Sequence, residues 1–236
     1  MAPHSMATTA GPKLTLMPQR SDARLAELIA TRVLPNYPSD SILDVGCGDG
    51  VVGGHLPAMC HYTGLDINDA CIYEQRPDNP NVRYVKSSEI PELMEQEGPW
   101  DTVLLLDVIE HTRGFTPLFE LAMRCSKRVV VSLPNELFIL DRLRMLAGHE
   151  LNAHSLDLIN QPEGFKHQYI INIDKARKIL SDLASSNGFH LSEEVLRPLI
   201  SNGILKRLAY SVLRKTTTAR AWSMGSVLIF EASNWV

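Results

Sequence analysis

An acid and three alternating glycines, Asp44-Val45-Gly46-Cys47-Gly48-Asp49-Gly50, close the short apolar run Ser41-Ile42-Leu43. No other segment constrains the chain as much. A brief apolar run of this kind reads as a buried parallel strand. Glycines directly after it let the backbone approach a ligand and turn sharply into a helix. The dinucleotide pattern G-x-G-x-x-G needs glycine or alanine at position 51, where this chain has Val51. A phosphate loop would continue into G-K-[ST], which is missing. An acid ahead of the loop suits a cationic or amine-bearing ligand better than a pyrophosphate. Asp66, 22 positions after Asp44, ends the next apolar run and is spaced to take both hydroxyls of a ribose. Loop and acid together describe a nucleoside ligand without phosphates; the plainer alternative is a strand-to-helix turn that binds nothing.

The alternation continues along the chain. Tyr62–Asp66, Asn81–Val85, Thr102–Leu106 and Arg128–Ser132 read as further strands separated by helical segments. Before the first strand, Ser21 or Asp22 can cap a helix that carries Leu25, Leu28, Ile29 and Val33 on one face, with Pro35 and Pro38 as stops. Thr116-Pro117 marks a helix start as cap and first helical residue. Leu137–Leu146 is a helical stretch closed by Gly148, and Asp174 caps another helix that ends at Gly188. Phe189–Leu191 and Ser226–Ala232 supply the last strands. Strands alternating with helices at these lengths predict an α/β fold, doubly wound around a mostly parallel sheet.

The 236 residues, 44% hydrophobic and 21% charged, suit one domain with a substantial core, over 21–236, behind a flexible leader at 1–20. Cys47, Cys60, Cys71 and Cys125 form no C-x-x-C pair, so neither a zinc knuckle nor a disulfide framework is expected, and a reducing, cytoplasmic setting is the simplest. No apolar run reaches the length of a membrane span, and Met1–Arg20 lacks the apolar stretch of a secretory signal. A formal charge of −4 argues against a general nucleic-acid binder. That number averages two unlike parts. Residues 197–220 hold six basic residues and no acid, which leaves 17 basic and 27 acidic residues elsewhere.

The sequence resembles the class I S-adenosylmethionine-dependent methyltransferases. The likeness rests on Leu43–Gly50, Gly64-Leu65-Asp66, Leu106-Asp107-Val108-Ile109-Glu110-His111 and Ser132-Leu133-Pro134-Asn135, with His167 before the Asp174 helix, and spans roughly 20–232. Its nearest flavour is the ubiquinone-pathway type of small-molecule enzyme. The resemblance implies a Rossmann-like, seven-stranded sheet with helices on both faces and an antiparallel last strand. It also implies S-adenosyl-L-methionine as cofactor. Asp44, Gly46, Cys47, Gly48 and Gly50 would then wrap the methionine part, Asp66 would hold the ribose, and Ile67 would lie on the adenine. Asp107 and Val108 would stand near the sulfonium. Where the family has an acid for the adenine amine this chain has Ser87-Ser88, and Ser88 aligns with it as a weaker acceptor. Cys125-Ser126-Lys127 replaces the usual Gly-Gly turn before the fifth strand.

Methyl transfer from a sulfonium needs alignment and exclusion of water, and a base only where the acceptor must lose a proton. His111 and His167 are the candidate bases; the alternative is that each holds its loop in place. Glu110 and Asp107 have the chemistry of Mg²⁺ ligands, yet caps and cofactor contacts use such acids equally well, and no metal is expected. His4, His55, His61, His149, His154 and His190 read as ordinary surface or loop residues, and Cys47 as packing. Residues 134–173 form an insertion expected to build a lid or acceptor pocket; Phe138, Leu140, Leu143, Met145 and Leu146 either line that pocket or, the plainer reading, pack the lid onto the sheet. A second insertion, 195–225, is basic and amphipathic. It can pack on the sheet, lie peripherally on an anionic membrane through 197–220, or grip an anionic acceptor. The reading is methyl transfer to a small-molecule acceptor, anionic or lipid-like, at oxygen. An N-methyltransferase acting on an amine-bearing metabolite or sugar, or an inactive cofactor-binding protein, are the alternatives.

Overall fold

A computed structural model describes residues 22–67, 80–160, 166–197, 221 and 223–233. The seven strands are β1 (Ser41–Val45), β2 (His61–Asp66), β3 (Val82–Lys86), β4 (Trp100–Leu106), β5 (Ser126–Pro134), β6 (Phe189–Arg197) and β7 (Gly225–Ala232). They form one sheet in the order β3-β2-β1-β4-β5-β7-β6. Pairings among β1 to β5 are parallel, while β7 runs antiparallel to both β5 and β6. The expected architecture is therefore the observed one.

Side chains alternate across the strands and build a core on each face. Leu43, Val45, Val103, Leu105, Val129, Val131, Leu228 and Phe230 turn to one face. There they meet helices α3 (Ile90–Glu97), α4 (Phe115–Cys125) and α6 (Ile173–Ser186) through Met94, Phe119, Ala122, Leu180 and Ala184. Ile42, Tyr62, Leu104, Val130, Val227 and Ile229 turn to the other. That face is covered by α1 (Asp22–Leu28), the π-helical turn Ile29–Val33 that prolongs it, and the short α2 (Val51–Gly54).

Several local expectations shift. Gly114, with φ +68°, precedes α4, so Thr116-Pro117 lies inside the first turn rather than at its cap. Asn172, not Asp174, caps α6, its side chain accepting from the Lys175 amide at 3.1 Å. An amide side chain one residue outside the helix is better placed for that amide than an acid within the first turn. Gly188 follows α6 with φ +76°, the left-handed C′ position that was expected. Where the resemblance implies a turn on two glycines, α4 ends at Cys125 and β5 begins at Ser126 with no loop between. Ser126 Oγ donates to the Ala122 carbonyl at 2.7 Å, which ties the helix end to the strand start. Of the basic segment, 198–220 lies outside the described residues. Among the described residues no helix is long and apolar enough to cross a membrane.

Two tight contacts aim the final strands at the sheet's carboxyl edge. Gly225 pairs with Pro134 on one side and Arg197 on the other. A Cβ there would collide with the Leu133 carbonyl and reach 2.8 Å from Arg197 Cδ. Gly225→Ala should cost about 2 kcal/mol through this overpacking, read as a lower urea midpoint at unchanged slope.

Candidate active site

Strand order reverses around β1 and β4, and the carboxyl ends of such strands are where α/β sheets bind ligands. The glycine loop leaves β1 at this point. Its first two amides, Gly46 and Cys47, both donate to the Leu65 carbonyl at 2.7 and 3.0 Å. The Gly48 amide donates to Asp66 Oδ2 at 3.0 Å. Gly46, Gly48 and Gly50 all adopt φ between +52° and +70°, a conformation that side chains resist. Tyr84 of β3 closes the loop from beneath, its hydroxyl donating to the Gly50 carbonyl at 2.6 Å. A Cβ at Gly50 would strike the Tyr84 ring, and one at Gly64 would come within 2.9 Å of Cys47 Sγ. Cys47 thus packs against β2, as expected of it.

Asp44 lies below the loop, 1% exposed, with Oδ2 accepting from the Tyr62 hydroxyl at 2.6 Å. Burial pushes its carboxyl up from 3.8 to about 7, the Tyr62 hydrogen bond opposes that, and Asp66 adds to it. Ile67, 43% exposed, follows Asp66 at the end of β2. Ser88 is exposed in the bend after β3, the strand beside β2. The Asp44 loop, Asp66, Ile67 and Ser88 therefore share one edge.

Asp107 and Val108 end β4 on the same edge. A Val108 methyl would stand 2.6 Å from a Cβ at Gly46, so this side chain fills the space the glycine leaves. Asp107 has φ 52°, rare for a non-glycine residue and costing on the order of 1 kcal/mol or more. Its carboxylate accepts two hydrogen bonds from Arg197 Nη1, at 2.6 and 2.9 Å, and another from Ser132 Oγ. Arg197 was read as one cation of a membrane- or acceptor-facing segment. At the end of β6 it is instead ion-paired within the site, its side chain 14% exposed.

His111 and His167 come together with Glu136 and His154, two residues to which the sequence assigns no such role. His111 and His167 rings meet edge to face with centroids 4.5 Å apart, and His154 meets His167 in the same way at 5.6 Å. Glu136 organises them. Its Oε1 accepts from His167 Nδ1 at 2.8 Å and from His154 Nε2 at 2.7 Å, and Oε2 accepts from the Ile171 amide at 2.6 Å. Burial works to raise this carboxyl, but the His167 hydrogen bond and the Ile171 amide outweigh it and hold it below the ordinary range. It is then a carboxylate, which only accepts, so both rings must donate to it. The reading of His154 as an ordinary loop residue does not hold. Glu136 carries no sequence signal beyond following Ser132–Asn135.

Glu110, fully buried, has neither carboxylate oxygen hydrogen-bonded, and burial followed by the nearby Asp107 pushes its carboxyl well up. His111 Nδ1 is also buried without a partner. Burial, then His167, lowers the His111 pKa, so the ring stays neutral and keeps a lone pair. The hydrophobic residues of the insertion depart from expectation. Phe138 is buried, but Leu140, Leu143, Met145 and Leu146 are 40 to 85% exposed, and no residue of α5 (Ile139–Leu146) is buried.

A methyltransferase family, described as "Methyltransferase domain", matches residues 18–183. No curated protein matches the sequence. Among solved structures, the chain is similar to magnesium protoporphyrin IX methyltransferase from Synechocystis PCC 6803 with bound S-adenosylhomocysteine. That match has 15% identity and a TM-score of 0.58, and covers 91% of this chain and 85% of that one. A SAM-dependent methyltransferase from Archaeoglobus fulgidus aligns at 17% identity and a TM-score of 0.57, covering 87% and 94%. A cyclopropane-fatty-acyl-phospholipid synthase-like protein from Lactobacillus casei ATCC 334 aligns at 15% and 0.53, covering 90% of each. With the family match spanning most of the chain and the seven-stranded fold agreeing, this protein belongs to the class I S-adenosylmethionine-dependent methyltransferases.

Proposed function

We propose that this enzyme moves the methyl group of S-adenosylmethionine to an oxygen of a small-molecule acceptor. One observation carries the reading. The edge-to-face His111–His167 pair, with His111 held neutral by burial and His167 held by Glu136, stands past the end of β4, next in the sheet to the strand that opens into the glycine loop. On the cofactor side, Gly46, Cys47, Gly48 and Gly50 surround the methionine part, with Asp44 beneath them. Asp66 takes the ribose hydroxyls, Ile67 the adenine face and Ser88 the adenine amine. Asp107 and Val108 border the sulfonium, with Arg197 neutralising Asp107 from behind. The acceptor oxygen attacks the methyl carbon in line as the carbon–sulfur bond breaks, leaving a thioether. The hydroxyl proton passes to an imidazole lone pair. A neutral amine needs no such base before attack, which is why the histidine pair favours oxygen. Residues 134–173 supply Glu136, His154 and His167 and serve as the acceptor's cover.

Three outcomes test this reading. Isothermal titration should show one S-adenosylhomocysteine per chain, and Asp66→Ala should weaken it at least 100-fold; a wild type that binds none refutes the assignment. His167→Ala should lower kcat roughly 10²–10⁴-fold while the cofactor affinity changes less than about 3-fold. The third concerns pH. A carboxyl whose pKa is raised on folding binds a proton in the native state that the unfolded chain has already released. Stability is then greatest below the ordinary carboxyl range and is lost as pH rises toward and through about 7. For Asp44 the full loss is on the order of 4 kcal/mol, and Glu110 acts in the same sense. Urea midpoints of the cofactor-free protein should therefore fall between pH 5 and pH 8, and Asp44→Asn should flatten that slope.

A further inference from the structure

We propose that Arg197 and Glu110 hold a carboxylate of the methyl acceptor, which makes that acceptor a hydroxy acid. This acceptor class rests on the oxygen-methylation reading and deepens it. Arg197 Nη1 donates to both oxygens of Asp107 and, at 3.0 Å, to Ser132 Oγ. All of these bonds leave from one corner of the guanidinium. Among the described residues Nε and Nη2 make none, and neither is sealed from solvent. The edge formed by Nε and Nη2 carries two parallel N–H groups, the fork that grips a carboxylate with two hydrogen bonds. Asp107 and Ser132 fix the plane of the group, and with it the direction of the open edge.

Glu110 is a second, independent mark of a ligand. Its side chain is fully buried, and neither oxygen has a hydrogen-bond partner. Native structures rarely leave such a group unsatisfied. The charges of Asp107 and Arg197 both act on it, so it stands beside the ion pair. Burial, followed by Asp107, pushes its carboxyl well up, and a carboxyl that keeps its proton donates a hydrogen bond. Arg197 and Glu110 therefore meet a ligand with N–H and O–H groups. The matching partner is a group that only accepts, and a carboxylate is one. Asp107 offsets part of the charge of Arg197, but the open edge still gives two charge-assisted bonds, and the sulfonium of a bound methyl donor adds positive charge nearby.

The same geometry places the hydroxyl. Glu110 and His111 are consecutive in the turn Ile109–His111, and one side-chain nitrogen or oxygen from each of Glu110, His111 and His167 lies within 4.8 Å of the others. An oxygen held by Glu110 and an oxygen held by an imidazole are then near neighbours. The hydroxyl of the acceptor accordingly sits on the carbon next to the carboxylate or on the one beyond it. The carboxylate stays on Arg197 and Glu110 while the hydroxyl proton passes to the imidazole. The oxygen forms its bond to the methyl carbon as the carbon–sulfur bond breaks, giving a methyl ether and a thioether.

The test uses the full chain, titrated in a calorimeter first with S-adenosylhomocysteine alone, which judges the methyltransferase reading separately. The same samples are then titrated with lactate and salicylate, and with the uncharged lactamide and salicylamide. At least one of the acids should bind with a Kd of about 1 mM or tighter, and its amide roughly 10-fold more weakly or not at all. Arg197→Lys, which keeps the charge but loses the fork, should weaken that acid about 10-fold. Glu110→Gln, which still offers N–H donors, should bind it within about 3-fold of the wild type, whereas Glu110→Leu should lose about 10-fold. A cooperative thermal melt reports that each variant is folded. A measurement on the wild type alone guards against variants that fail to fold: the bound acid should protect Arg197 from phenylglyoxal, located by mass spectrometry. Acids that bind no better than their amides overturn the proposal, as does undiminished binding in Arg197→Lys or equal labelling of Arg197 with and without the acid.

Discussion

The carbonyl of Leu65 accepts the amides of both Gly46 and Cys47, and the rest of the site depends on that convergence. Two donors on one acceptor force the chain leaving β1 to bend toward the end of β2 rather than run on. That bend brings the Gly48 amide to Asp66 and orients the acid before any ligand arrives. It also needs left-handed backbone at alternate positions, which is why glycine recurs there. Packing holds the arrangement: Tyr62 against Tyr84 at 5.8 Å, with one hydroxyl on Asp44 and the other on Gly50.

The sheet was legible because periodicity and punctuation agreed: apolar runs alternate with helical segments, and the glycines fall at their ends. Boundaries were less so. The cap of α6 lay two residues earlier than Asp174, because asparagine and aspartate are both good caps and only the neighbouring dihedrals choose between them. That the glycine loop, Asp66 and Asp107 share one edge was readable too, since each is local to a strand end. The histidine cluster was not. Glu136, His154 and His167 come together through a path of 32 residues whose course no periodicity records. Nor did sequence show that Arg197 would turn inward, because an arginine in a basic stretch looks the same whether it faces solvent or a carboxylate.

Charge in the site is arranged in two layers. Asp44, Asp66, Asp107 and Glu110 put four acids near the ends of three adjacent strands, and Arg197 is the cation seen among them. Such a surplus of acid favours a sulfonium over its neutral thioether product. Burial, with the neighbouring acids adding to it, makes complete ionisation of the empty site costly and raises the carboxyls of Asp44 and Glu110. Binding of a positively charged methyl donor relieves part of that cost, and methyl transfer brings it back.

Tyr84 belongs to β3, the outermost strand of the sheet on the cofactor side, yet its hydroxyl reaches the Gly50 carbonyl. An edge strand has one pairing partner and is the first to loosen. Here its ring is also the floor on which Gly50, Gly53 and Gly64 rest. Fraying of that margin and slackening of the glycine loop are thus a single event. On the function proposed above, the grip on the methyl donor is only as firm as the least supported strand.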